Sequence, residues 1–128
     1  MTAIIYDAAL VLRDVADGAE TATAAETGIA LDVLKAGNFK VIFDVTALDA
    51  TTGNETYVLA VETDANTSFG SAVQVGAVTV SAVGRYEVPL SQWQLAKLDS
   101  TAAAIRVNAT LGGTTPSITY GAYIVPTA

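Results

Sequence analysis

The sequence predicts an all-β domain, a jelly-roll-like β-sandwich of about seven or eight antiparallel strands with turns every ten residues or so. Three observations predict it. Apolar and polar residues alternate over several stretches, the period-two signature of half-buried strands. Val and Thr, which suit a pleated surface, are abundant. Clusters of Gly, Asn, Asp, Ser and Thr interrupt the alternation at regular intervals.

Taken in order, Ala8 to Val15 reads as a first strand. Ala16 to Thr27 admits a helix on its Ala and Glu content, but Thr21, Thr23 and Thr27 fit an extended segment better. Gly28 to Val33 is a strand. FKVIFDVTAL, Phe39 to Leu48, places Phe39, Val41, Phe43, Val45 and Ala47 on one face and Lys40, Asp44 and Thr46 on the other, with Ile42 as an exception. A polar loop, Asp49 to Glu55, leads into Thr56 to Thr63, where Tyr57, Leu59 and Val61 share a face, so the two strands read as a hairpin.

Asp64 to Ser71 is a turn cluster, and Ala72 to Val80 is a strand in which Gly76 signals a bulge or bend. Arg85 to Leu90 alternates Tyr86, Val88 and Leu90, and Pro89 marks a strand end or an edge. Leu95 and Leu98, three apart, predict a short helical turn near 91–98. Ala104 to Leu111 is a strand, Gly112-Gly113 falls in a hairpin loop, and Ser117 to Val125 is the last strand. With 128 residues, no internal repeat and no linker, 1–128 forms one domain, with 1–6 an N-terminal arm or simply the start of the first strand.

Charge narrows the function. Residues 1–64 are net −8 and residues 65–128 net +1, within a total of −7. An acidic chain without a basic stripe repels phosphate, so nucleic acid is not a direct ligand. The acidic half favours solubility or complements a basic protein partner. Without cysteine, disulfides and Cys-based metal sites are excluded. The start of the chain, MTAIIYDAALVLRD, has no basic n-region, and Asp7 interrupts its apolar run, so it is not a signal peptide. No apolar stretch is long enough to cross a bilayer, and synthesis in the cytoplasm is expected.

The residues that usually carry catalysis are missing. Without His or Cys, the commonest general base and Ser–His or Cys nucleophiles are gone. Lys35, Lys40 and Lys97 lie in no motif. A carboxylate pair remains the one hydrolytic route, with Asp44 and Glu62 as candidates on neighbouring strands, although both fall on polar faces where solvated carboxylates belong. Asp64, Asn66 and Ser68 open like a calcium loop, but Phe69 stands where Gly is required and no Glu closes the loop, so a turn is the better reading. No enzyme activity, cofactor or metal is expected. Among aromatics, Tyr57, Tyr86 and Tyr120 are in phase with the core, Tyr123 faces solvent or a partner, and Trp93 could cap one end of the core.

Three stretches, TYVLAVETDANTSFGSAVQVG (Thr56 to Gly76), GRYEVPL (Gly84 to Leu90) and AIRVNATLGG (Ala104 to Gly113), resemble the small cement or decoration proteins of tailed bacteriophages, within them a capsid cement family. A T-D-x-x-x-S-F-x-S turn is matched by Thr63, Asp64, Ser68, Phe69 and Ser71. A G-R-Y-x-x-P-L segment and an R-V strand are matched by Gly84, Arg85, Tyr86, Pro89, Leu90, Arg106 and Val107. The family's N-terminal entry is matched only loosely, by Asp14-Val15-Ala16 and Thr23-Ala24-Ala25. The resemblance implies a jelly-roll-like sandwich on the capsid exterior of the virion that bridges neighbouring subunits of the phage major capsid protein, as a homodimer or homotrimer, with no membrane contact. The contact candidates are Ile4, Ile5 and Tyr6 in the apolar arm, Trp93 and Tyr123. The rival readings are a carbohydrate- or receptor-binding sandwich, which surface aromatics on a concave face would favour, and another head or tail subunit.

Overall fold

The computed structural model describes residues 10–31 and 37–127, and in them the alternating stretches become strands: β1 (Val11–Arg13), β2 (Ala24–Ala25), β3 (Ile29–Ala30), β4 (Asn38–Leu48), β5 (Thr56–Asp64), β6 (Val73–Val80), β7 (Gly84–Leu90), β8 (Ala104–Gly112) and β9 (Ile118–Thr127). One short helix, α1 (Gln92–Leu98), joins β7 to β8, and a 3₁₀ turn, Val15–Asp17, follows β1. Ser91 caps α1 by accepting from the Gln94 amide, which is why the helix begins where the sequence places its helical turn.

The strands form two antiparallel sheets. Sheet I has the order β1-β9-β4-β7, and sheet II the order β2-β8-β5-β6, with β3 pairing farther along β8. If β2 and β3 are counted as one interrupted strand, each sheet has four positions. Apart from β5 to β6, every link between consecutive positions then crosses from one sheet to the other. That alternation is the jelly roll.

This wiring corrects two local expectations. Asp49 to Glu55 does not close a hairpin, because β4 pairs with β7 and β9 while β5 pairs with β6 and β8. The loop at Gly112-Gly113 likewise crosses between sheets. A turn cluster specifies that the chain reverses; whether it reverses within a sheet or across the core depends on which inner faces then meet. The expected turn at Asp64 to Ser71 does close a hairpin, between β5 and β6.

The core lies between the sheets. Phe39, Val41, Phe43 and Val45 of β4 and Ile118, Tyr120, Ala122 and Ile124 of β9 face Tyr57, Leu59 and Val61 of β5 and Ile105, Val107 and Ala109 of β8. Ala47 leaves the inner face, against expectation. A register shift between Val45 and Ala47 makes Thr46 an extra residue, so Leu48, not Ala47, returns to the core opposite Ile118. A second shift, opposite Val61 and Glu62, puts the bulge of β6 at Val75, next to Gly76. Pro89 sits one residue from the end of β7, the edge of sheet I, where a missing N–H costs no ladder bond.

At the end of the sandwich built from the β4–β5 and β8–β9 loops, one hydroxyl ties the loops together. Tyr57 Oη donates to the Asp49 carbonyl and accepts from the Ser117 amide at 2.9 Å, while the Asn54 side chain exchanges two bonds with Thr114 at 3.0 and 3.1 Å. Tyr57→Phe removes the hydroxyl but not the groups it satisfies. We expect a loss of about 1–2 kcal/mol in chemical denaturation, with the strand circular-dichroism spectrum unchanged.

Candidate interaction surface

The catalytic geometries considered from sequence do not assemble. Asp44 lies on β4 in sheet I and Glu62 on β5 in sheet II, each on its sheet's outer face, so the core separates the two carboxylates. Glu62 is instead paired with Arg106 at 2.8 Å. Among the described residues no group of three acidic or other metal-ligating side chains converges.

The calcium-like stretch is a fastened turn. The Asp64 carboxylate accepts from the Ala65 and Ser71 amides at 2.6 and 2.9 Å, and Asn66 Oδ1 accepts from the Ser68 amide and hydroxyl. Phe69, with φ of 51°, occupies the left-handed region yet is buried. Its ring fills the space that a Cβ on Gly28 would need, and the Arg106 guanidinium lies 4.5 Å from its centroid. Thr63 donates to Asp99 at 2.8 Å, which joins the same turn to the segment after α1. Part of the resemblance, Thr63 to Ser71 with Arg106, is therefore one structural unit that holds the β5–β6 hairpin against β8.

A polar cluster that sequence reasoning missed lies along the β1 and β2 edges of the sandwich. Arg13 of β1 is buried, and its guanidinium donates to Glu26 at 2.7 Å, the Tyr120 carbonyl at 2.6 Å, the Gly18 carbonyl at 2.8 Å and Glu20 at 3.3 Å. It also stacks 4.5 Å from the Tyr120 ring centroid. Glu20 is bridged to Ile118 of β9 in sheet I, while the Glu26 amide bonds Val107 of β8 in sheet II. One guanidinium thus ties the outer edges of both sheets together. Arg13 is the only Lys or Arg among the first 34 residues, with Glu20 and Glu26 following. That isolation was the one signal available, because separations of 7 and 13 residues in irregular chain carry no rule of proximity.

The cluster perturbs its own ionisation. Burial raises the Glu26 pKa, and a hydrogen bond to the Glu20 carboxyl raises it further, which outweighs the pull of Arg13. Arg13 is held above its ordinary value: burial acts against the charge, but the bond to Glu26 and the surrounding charges win. Tyr120 Oη is buried without a hydrogen-bond partner among the described residues, and burial followed by the Glu26 charge holds its pKa well above the usual phenol range.

Val15 is exposed beside this cluster, and the more exposed apolar side chains lie elsewhere. Trp93 is 69% exposed on α1, so it does not cap the core; Leu95, two residues on, is the one buried residue of the helix. Lys97 Nζ lies 4.6 Å from the centroid of the indole, and Leu98, the last residue of the helix, is 48% exposed. Shallow grooves flank α1, one lined by Phe39, Pro89 and Gln94 and the other by Leu95, Asp99 and Ala102. Tyr123 lies on the outer face of sheet I, opposite Ile42, where its hydroxyl accepts from Arg85 at 2.9 Å. Trp93 and Tyr123 therefore belong to different surfaces. Val83, 60% exposed in the β6–β7 turn, lies at the end of the sandwich away from α1. The arm residues Ile4, Ile5 and Tyr6 lie outside the described residues.

Two outcomes follow from the buried cluster. Tyr120→Phe removes a hydroxyl that bonds nothing among the described residues, so stability is expected to hold or rise by up to about 1 kcal/mol in urea denaturation, the opposite sign to Tyr57→Phe. For Glu26, a raised folded pKa means the folded state retains a proton that the unfolded state has lost. Its contribution is full below the ordinary glutamate pKa and is lost as pH rises through the folded value. Glu26→Gln mimics the protonated form, so it is expected to stabilise at neutral pH, with the gain shrinking as pH falls toward 4.3, roughly the model glutamate value. Denaturation midpoints measured across that range check it.

Compared with models of known protein families, with curated proteins and with solved structures, the chain matches none.

Proposed function

We propose that this chain is a structural protein of a tailed-bacteriophage virion that binds the outside of the capsid and cements neighbouring subunits of the major capsid protein. The observation that carries the reading is Trp93, a large aromatic left exposed on a helix anchored by a single side chain. Exposing an indole forgoes the stabilisation of burying it, and Trp is one of the residue types enriched as interface anchors. Lys97 across its ring gives this apolar anchor a polar margin, the anatomy of a contact patch.

Bridging two subunits needs more than one contact point. Trp93 and Leu98 lie at one end of the sandwich and Val83 at the other, so each end offers an exposed apolar contact. Many copies, each making modest contacts, sum to a large stabilisation of a shell. The resemblance to cement proteins agrees with the jelly-roll architecture, and because several of its matched residues, Asp64, Phe69, Ser71 and Arg106, fasten the β5–β6 turn, it supports the fold more directly than the contact surface. Jelly rolls also serve as lectin domains. A sugar-binding platform is less well supported, because Lys97 already occupies a face of Trp93, the most exposed aromatic side chain among the described residues.

The test is co-sedimentation with empty heads assembled from the major capsid protein encoded alongside this chain. The natural chain is expected to bind at regular sites visible by electron cryo-microscopy. Trp93→Ala is expected to bind tenfold or more weakly, on the order of a hot-spot truncation, with an unchanged melting temperature. No binding by the natural chain, or equal binding by the variant, would overturn the proposal.

A further inference from the structure

The sandwich has four sheet edges, and they are not alike. At one side lie β1, three residues long, and β2 and β3, two residues each, too short to offer much open backbone. At the other side lie β7 and β6. The outer face of β7 carries Arg85, Glu87 and Pro89, all exposed, which are the charges and the proline that keep an edge from pairing. No such guard stands on β6. Among the described residues it pairs only with β5, it is eight residues long, and it contains neither charge nor proline.

The absence of charge extends well beyond the strand. The twenty residues from Ala65 to Gly84 contain no Asp, Glu, Lys or Arg, in a chain of net charge −7. One protective feature remains, the bulge at Val75, and it sits near the start of the strand. Past it, Gly76 to Val80 run in unbroken register with β5, and Ala77 and Thr79 are exposed.

We infer that the β6 edge is a self-association surface, at which two copies of this chain pair β6 with β6, antiparallel, about a two-fold axis. An open strand edge calls for another strand, and antiparallel pairing about a two-fold brings the same patch of both copies together. Two chains of like net charge repel wherever their acidic surfaces meet, so the charge-free strand is where they can approach. A basic partner would instead be drawn to the acidic loops. An axis at Val78 sets Ala77 opposite Thr79 and Gly76 opposite Val80, so that small and β-branched residues face one another. The pairing joins the two copies of sheet II into one continuous sheet.

Light scattering after size exclusion tests this on the full chain. The natural protein is expected at twice 13.1 kDa, and Ala77→Lys and Thr79→Lys are each expected to run as monomers. Both positions are exposed, so circular dichroism and melting should match the natural chain. Because the chain has no cysteine, a variant carrying Ala77→Cys and Thr79→Cys supplies an independent reading: mild oxidation is expected to cross-link it into a covalent dimer. A monomer or a trimer at micromolar and higher concentrations overturns the inference. So does a dimer that both lysine variants leave intact, or a double-cysteine variant that stays uncross-linked.

Discussion

The apolar layer between the two sheets takes residues from both, and consecutive strands mostly cross it. β4 delivers Phe39 to Val45 to one side, the chain turns over the end, and β5 delivers Tyr57 to Val61 to the other. Neither sheet can be completed first, because each needs strands that are separated in sequence by strands of its partner. Stability is therefore cooperative and rests on contacts between distant residues, which predicts slow folding compared with helical domains of this size. Without cysteine to staple distant segments, burial and hydrogen bonding must hold the ends of the layer closed.

Different chemistry closes the layer in different places. The β4–β5 and β8–β9 loops are joined by the Tyr57 hydroxyl and the Asn54–Thr114 pair. Phe69 and Arg106 pack the β5–β6 turn against β8. At the edge formed by β1 and β2, where strands are too short to hold themselves, the Arg13 guanidinium spans the sheets. A buried charge is costly even when paired, and replacing such pairs with apolar residues often stabilises. Here the guanidinium meets two carboxylates and two carbonyls that apolar side chains could not satisfy, so its role is to fix where the N-terminal segment sits.

A jelly roll does not by itself name a function. What directs attention outward is the contrast between a packed apolar interior and a few places left open: an indole on a sparsely anchored helix and an uncharged strand edge. They would serve different contacts, one toward a different protein and one toward a second copy of this chain. Lys97 over the indole and the bulge at Val75 limit these surfaces without covering them.

The fold class and most strand positions were legible in the sequence because side-chain alternation is a local property of extended chain. Tyr57 and Tyr120 were readable as core by phase, and Pro89 as an edge residue by its missing N–H. The limits of the pattern show where phase breaks: the extra residue at Thr46 sends Ala47 outward and brings Leu48 in, and nothing in FKVIFDVTAL marks that step. Trp93 was legible as a distinctive residue but not as an exposed one, since on so short a helix the choice between Trp93 and Leu95 as the anchor depends on what the helix meets. The hairpins read at Asp49 to Glu55 and at Gly112-Gly113, the separation of Asp44 from Glu62 and the Arg13 cluster were decided only by tertiary structure. The physical reason is the same for all of them. Sequence fixes which face of a strand is apolar, but the pairing of faces, and therefore which turns cross the core and which distant charges meet, is settled only when two sheets close on each other.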